Sequence, residues 1–277
     1  MNACKRRAIT ALMKKEFMNN VRNKWIIVLT LVFAGFIVLI SAYGGIEARG
    51  NTGVKGFEFT IWYAYSLAVF FISIVAIMLG YKTVVEESES KTIGMLLASP
   101  LERKDILLGK FAGLSMVLVF SIVVGLGIGG IIIAVTAGTE GYSSYLFFIF
   151  LTVLFALIFL SISTALSTLV KSRSQALVGG ILIWIFFNII YDLILLGILM
   201  ASGWELPTDT FTIEYPGWYQ VSQMFNPIGL YGLSINRLLD NAVLPGFMNI
   251  PILIGVFILW IAIPIMIANL MFQGKDL

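Results

Sequence analysis

Two groups of residues in this chain have the types and spacing to do chemistry, and both stand out because everything around them is apolar. The first lies in Val84 to Lys110, VVEESESKTIGMLLASPLERKDILLGK, the longest charged passage of the sequence. Glu86, Glu87 and Glu89 lead into Ile93, Leu96 and Leu97, and Pro100 and Arg103 follow. Helical spacing puts Ile93, Leu96 and Leu97 on one face of a short helix over Glu89 to Ala98, with Ser88 or Ser90 as its cap. Ser99, Pro100 and Glu102 predict a second helix from Pro100: a hydroxyl cap, a proline where its missing N–H costs nothing, and a glutamate reaching back. The chemistry on offer is recognition. A short apolar-faced helix bracketed by charge either docks in a protein groove or floats at a lipid interface, and amphipathicity alone leaves both readings open. The second group is Asn188, Tyr191 and Asp192. Asn188 and Asp192 are four apart, and Asp192 is the only acid inside a predicted membrane span. An intramembrane carboxylate costs at least a few kcal/mol unless it faces a polar cavity, a partner or the interface, so it lines a pathway or serves helix packing.

Other chemistry is excluded by what is missing. The chain has no histidine and a single cysteine, Cys4, so it has no intrachain disulfide, no histidine-ligated haem and no Ser-His or Cys-His catalytic pair. No metal site is predicted: the 11 methionines form no thioether cluster, and methionine packs apolar interfaces readily. Gly109-Lys110 and Gly274-Lys275 lack the earlier glycine and the hydroxyl of a P-loop, so the chain is not expected to hydrolyse ATP or to be an enzyme.

The elements that must position these groups are membrane helices. Of the 277 residues, 59% are hydrophobic and 12% charged, against roughly 25% charged in soluble domains. Six blocks are long and apolar enough to span a bilayer: Trp25 to Tyr43, Thr60 to Tyr81, Lys110 to Thr136, Tyr145 to Val170, Ala176 to Met200 and Ile250 to Phe272. With the N-terminus cytoplasmic, fifteen of the 18 lysines and arginines fall on the inside, a strong positive-inside signal that puts both termini and residues 84–110 in the cytoplasm. Residues 1–24 are basic, with Ile9, Met13, Phe17 and Val21 four apart, which predicts an elbow helix lying flat at the cytoplasmic interface. Gly125, Gly127, Gly129 and Gly130 in the third block read as close helix packing. Ser161, Ser163, Thr164, Ser167 and Thr168 in the fourth bond to their own backbone or to a neighbour, with plain packing the expectation. Residues 201–249 form an external segment with Trp204 and Trp218, in which Asn226 caps a short helix starting at Pro227 and carrying Tyr231, lying on or dipping into the outer leaflet. The expected fold is therefore an all-α polytopic membrane protein: one domain, six spans, both termini inside and no separate soluble domain.

Residues 84–110 resemble the signature of ABC-2-type permeases: acids after the second span, a short helix ending in a small residue and proline, an arginine, then Ile106-Leu107-Leu108-Gly109-Lys110. The resemblance runs over essentially the full length, including Tyr191-Asp192-Leu193 and Asn226-Pro227 with Tyr231. It implies that the short helix is the coupling helix docking on a separate ATPase subunit, with Glu86, Glu87, Glu89, Ile93, Leu96, Leu97, Pro100 and Arg103 in that contact. It implies a homodimer in the cell (inner or cytoplasmic) membrane, with ATP and Mg on the partner ATPase and no nucleic-acid partner. Within the family the chain looks most like the NosY subfamily, which serves maturation of the copper enzyme nitrous oxide reductase. That likeness suggests a sulfur species or another small solute as cargo and an external repeat protein of the NosD kind as a further partner. The family at large exports lipids, polysaccharides and drugs, so a hydrophobic cargo is the alternative. A passive membrane anchor for a cytoplasmic partner would explain the charged segment but not the glycine-rich and Asp192-bearing spans.

Overall fold

The computed structural model describes residues 3–22, 24–49, 56–89, 102–204, 215–240 and 244–274, and among these every regular element is a helix. They are α1 (Ala3–Val21), α2 (Lys24–Arg49), α3 (Gly56–Gly80), α4 (Val85–Glu89), α5 (Arg103–Ala137) and α6 (Tyr142–Leu169). Then come α7 (Arg173–Ala201, whose Phe186–Ile190 turn is π-helical), α8 (Gly217–Gln223), α9 (Pro227–Leu238) and α10 (Ile250–Gln273). Five stretches, beginning at Gly56, Arg103, Tyr142, Arg173 and Ile250, are long and apolar enough to cross a membrane, and α2 contributes a shorter apolar run over Thr30–Ile46. Each predicted block thus falls inside an observed helix, because long apolar runs in lipid must satisfy their backbone internally.

α6 is the axis of the bundle, packed against α3, α5, α9 and α10, while α5 packs against α1 and α2. The 35 residues of α5 make it roughly 50 Å long, against a hydrocarbon core of about 30 Å, so it is longer than a span requires. Of the four glycines expected to pack, Gly129 and Gly130 make the closest approaches: a Cβ on Gly130 would come within 2.7 Å of the Tyr145 ring, and one on Gly129 within 2.5 Å of Ile37. Gly127 faces open space, so its neighbours' reason is not its own. α7 lies outermost, with only 6% of its most apolar window buried.

One helix boundary differs from the expectation. α5 starts at Arg103, not Pro100: Glu102 is extended (φ −76°, ψ 156°) and its N–H donates to Asp105 Oδ2 at 3.0 Å, a capping box one turn later than the proline signal. Ser88 falls within the backbone of α4 (Val85–Glu89). The remainder of the predicted helix over Glu89 to Ala98, with Ile93, Leu96, Leu97 and Pro100, lies outside the described residues. α1 is helical as expected, but its stripe does not face lipid alone. Ile9, Met13, Phe17 and Val21 are half-buried on α5, where an added Cβ on Gly113 would lie 2.8 Å from the Met13 carbonyl oxygen and one on Gly109 3.0 Å from the Leu12 side chain.

Candidate functional site

At the end of the bundle from which residues 90–101 depart, the departing chain is fastened to several helices at once. Ser167 of α6 accepts from the N–H groups of Val84 and Val85 at 2.9 and 3.0 Å, capping α4 in place of a local side chain. Lys110 of α5 is 5% exposed, and its Nζ lies 2.6 Å from Glu87 and 3.6 Å from Glu16 of α1. It also donates to the Thr83 carbonyl at 2.8 Å. Arg173, at the start of α7, donates through its backbone N–H and Nε to Glu89 at 2.8 and 2.6 Å and through Nη1 to Glu86 at 3.1 Å. These bonds hold the Glu89 carboxyl below the usual carboxylate range. A depressed folded-state value means the link is in place at neutral pH and is lost as pH falls through that value. On the other side of the departing segment, Arg103 donates to the carbonyls of Phe272 and Gln273 at 3.1 and 3.0 Å, satisfying the open C-terminus of α10 with a cation.

All four described residues of the predicted coupling set, Glu86, Glu87, Glu89 and Arg103, therefore sit where the segment leaves and re-enters the bundle. Lys110, Ser167, Arg173 and Glu16 complete the arrangement and carried no local signal. Lys110 and Arg173 read as interfacial cations, Ser167 as one hydroxyl among five, and Glu16 lies off the apolar stripe of α1. Ser163 shows the same behaviour by donating to the Ile77 carbonyl of α3 at 2.9 Å, and Ser161 donates to the Trp260 carbonyl of α10 at 3.4 Å, so three of the five hydroxyls bond beyond their own helix rather than simply pack.

Near the opposite end, α9 turns back into the bundle. Asn226 caps it as predicted, accepting from Ile228 N–H at 3.0 Å, with Pro227 in the first turn. Its amide also donates to the Phe187 carbonyl in the π-helical turn of α7 at 2.9 Å. Tyr231 is fully buried: its hydroxyl is 2.7 Å from Thr152 of α6, and its ring stacks on Phe155 with centroids 4.6 Å apart. The helix dips because Ile228, Leu230 and Ile235 are apolar and the cap satisfies its entry, the condition for irregular backbone at depth. Asn226→Ala removes the cap and the tether together and is expected to cost about 1–3 kcal/mol, read as faster amide exchange across residues 228–238 with the spans unchanged.

The predicted pathway residues part company here. Asp192 borders a cavity of about 360 Å³ and accepts from Gln223 Nε2 at 3.3 Å, with Asn226 Nδ2 at 3.5 Å. Tyr191 donates instead to the Ser222 carbonyl at 2.6 Å, and Asn188 to the Trp184 carbonyl of its own helix at 3.0 Å. Trp204 stacks on Tyr215 at 5.5 Å, and Trp218, 40% exposed, meets Tyr219 edge-on at 6.0 Å.

Residues 10–277 match the sequence model of the family described as ABC-2 family transporter protein. The chain belongs to that family. Among curated proteins it is similar to the "Probable ABC transporter permease protein NosY" of Stutzerimonas stutzeri, 33% identical over 224 residues covering 79% of this chain and 78% of that protein. The protein of the same name from Pseudomonas aeruginosa is 32% identical over 197 residues, 70% of this chain and 71% of its own length. This is a NosY-like permease of an ABC transporter, a multi-pass membrane protein. Membership implies an ABC ATPase as partner, and permease subunits of such transporters are generally not enzymes themselves.

Proposed function

We propose that this ABC-2 permease works as a homodimer of six-span chains, each a single transmembrane domain with both termini in the cytoplasm of an inner or cytoplasmic membrane. Each chain is driven by one ATPase subunit that binds ATP and Mg. Segment 84–110 is then the cytoplasmic coupling element, residues 1–24 the elbow, and residues 201–249 the external segment.

One observation carries this reading. The root of residues 90–101 is bonded to α5, α6 and α7 through Lys110, Ser167 and Arg173, Lys110 also pairs with Glu16 of α1, and the return is bonded to α10 through Arg103. A segment that merely floated at an interface would need no such mounting, whereas one that passes a displacement from an ATPase to the spans would. α7, apolar and uncovered over most of its length, supports the dimer by offering a face that a second copy can share in lipid. The likeness to the NosY permeases supports a cargo used in copper-enzyme assembly, a sulfur species or another small solute, and an external partner of the NosD kind reached through Trp204 and Trp218. A hydrophobic compound is the alternative cargo; the carboxylate of Asp192 on the cavity it borders favours a polar one.

Co-expression with the ATPase and native mass measurement of the gently purified complex tests the proposal. Two permease chains with two ATPases are expected. A permease that purifies as a single chain, or without ATPase, would sink it.

A further inference from the structure

The cavity that Asp192 borders has a composition unlike the rest of the chain. Its walls are aromatic: Trp62 and Tyr65 of α3, with centroids 6.2 Å apart, line one side, and Tyr215 and Tyr219, stacked at 4.7 Å, line another. Gln220, Gln223 and Asn236 add polar side chains and Ile228, Leu233 and Leu244 apolar ones, and Asp192 is the one charged residue among those that line it. At about 360 Å³ it is of small-molecule size. Gly232 keeps it open beside α3, since a Cβ there would lie 2.8 Å from the Tyr65 hydroxyl.

Each of these features selects the same ligand chemistry. Aromatic faces attract a cation through their quadrupoles, and the attraction grows where water is partly excluded. The carboxylate adds direct ion pairing and repels anions. The lining offers no thioether, thiol or imidazole and only one carboxylate, too few hard or soft donors to hold a metal ion.

We infer that this cavity binds a small organic cation, an ammonium-bearing solute whose charged group sits among Trp62, Tyr65 and Tyr219 against Asp192. A free inorganic sulfur anion does not fit it. A sulfur carrier admitted here brings an ammonium group with it, so the inference narrows the cargo class of the proposed function and rests on that reading only for calling the ligand a cargo.

Calorimetric titration of the purified permease in lipid nanodiscs, without ATPase or nucleotide, tests it. The probes are choline, its neutral carbon isostere, cysteamine and sodium hydrosulfide. Choline and cysteamine should bind saturably, and the isostere and hydrosulfide should not. Asp192→Asn, which keeps the acceptor for Gln223, should weaken choline about tenfold, as should Trp62→Leu at a partly exposed position. Equal binding of choline and the isostere, binding of hydrosulfide, or an unchanged affinity in both variants overturns the assignment. Because no ATPase is present, a failure here leaves the permease reading standing, and a failed subunit count leaves the cation site standing.

Discussion

Lys110→Met is expected to destabilise the permease by about 3–5 kcal/mol and to uncouple ATP hydrolysis from transport, the first as a lower midpoint of thermal unfolding in detergent. The size follows from removing one partner of a buried ion pair, which strands the other charge. Lys110 pairs with both Glu87 and Glu16, and the side chains of those acids are 15% and 16% exposed. The Thr83 carbonyl loses its donor at the same time. Methionine keeps the length of the stem, so packing against α1 is nearly preserved and the loss is electrostatic. A double variant, Lys110→Met with Glu87→Gln, should recover part of the stability, since replacing both members of a buried pair costs less than breaking it. A midpoint unchanged in the single variant would show that the network is hydrated and that α4 is held by Ser167 and Arg173 alone.

Leu96→Asp with Leu97→Asp should release the ATPase altogether while leaving the spans folded. Two carboxylates placed on the apolar face of a helix that docks in a groove must be desolvated to bind, at a few kcal/mol each, which exceeds what a contact of this size can spare. Quantifying ATPase per permease after affinity purification gives the result, with circular dichroism as the check on the helices. A full complement of ATPase in the double variant would mean that residues 90–101 do not make the contact, and that the mounting around Lys110 serves only the fold.

The helical architecture was legible in the sequence because its cause is local. An apolar run of 20 or more residues has one way to satisfy its backbone in lipid, so each block from Trp25 to Phe272 could be placed within a few residues. Asn226 with Pro227 was equally legible, since a cap and a first-turn proline act within three residues of each other. Pro100 misled for the same local reason. Ser99-Pro100-Glu102 satisfies the start signal, yet Glu102-Asp105 satisfies it as well, and the second start lets Arg103 reach the end of α10.

What only the tertiary structure decided is pairing between elements distant in the chain. Composition marked Glu86, Glu87, Glu89 and Asp192 as costly charges in an apolar chain, and desolvation made them worth singling out. Their partners could not be read, because Lys110 and Arg173 are 23 and 84 positions from Glu87 and Glu89, the acids they meet, Glu16 is 94 from Lys110, and no periodicity links such distances. Asn188, Tyr191 and Asp192 looked alike as neighbours on one helix, but each bonds to a different acceptor or donor, and Asp192 alone reaches the cavity. Tyr231 could be placed on a short external helix but not at depth, since whether that helix lies on lipid or dips beneath it turns on Thr152 and Phe155 of another span. Local patterns determine which segments become helices, whereas the burial of a charge or a ring depends on which other helices close over it.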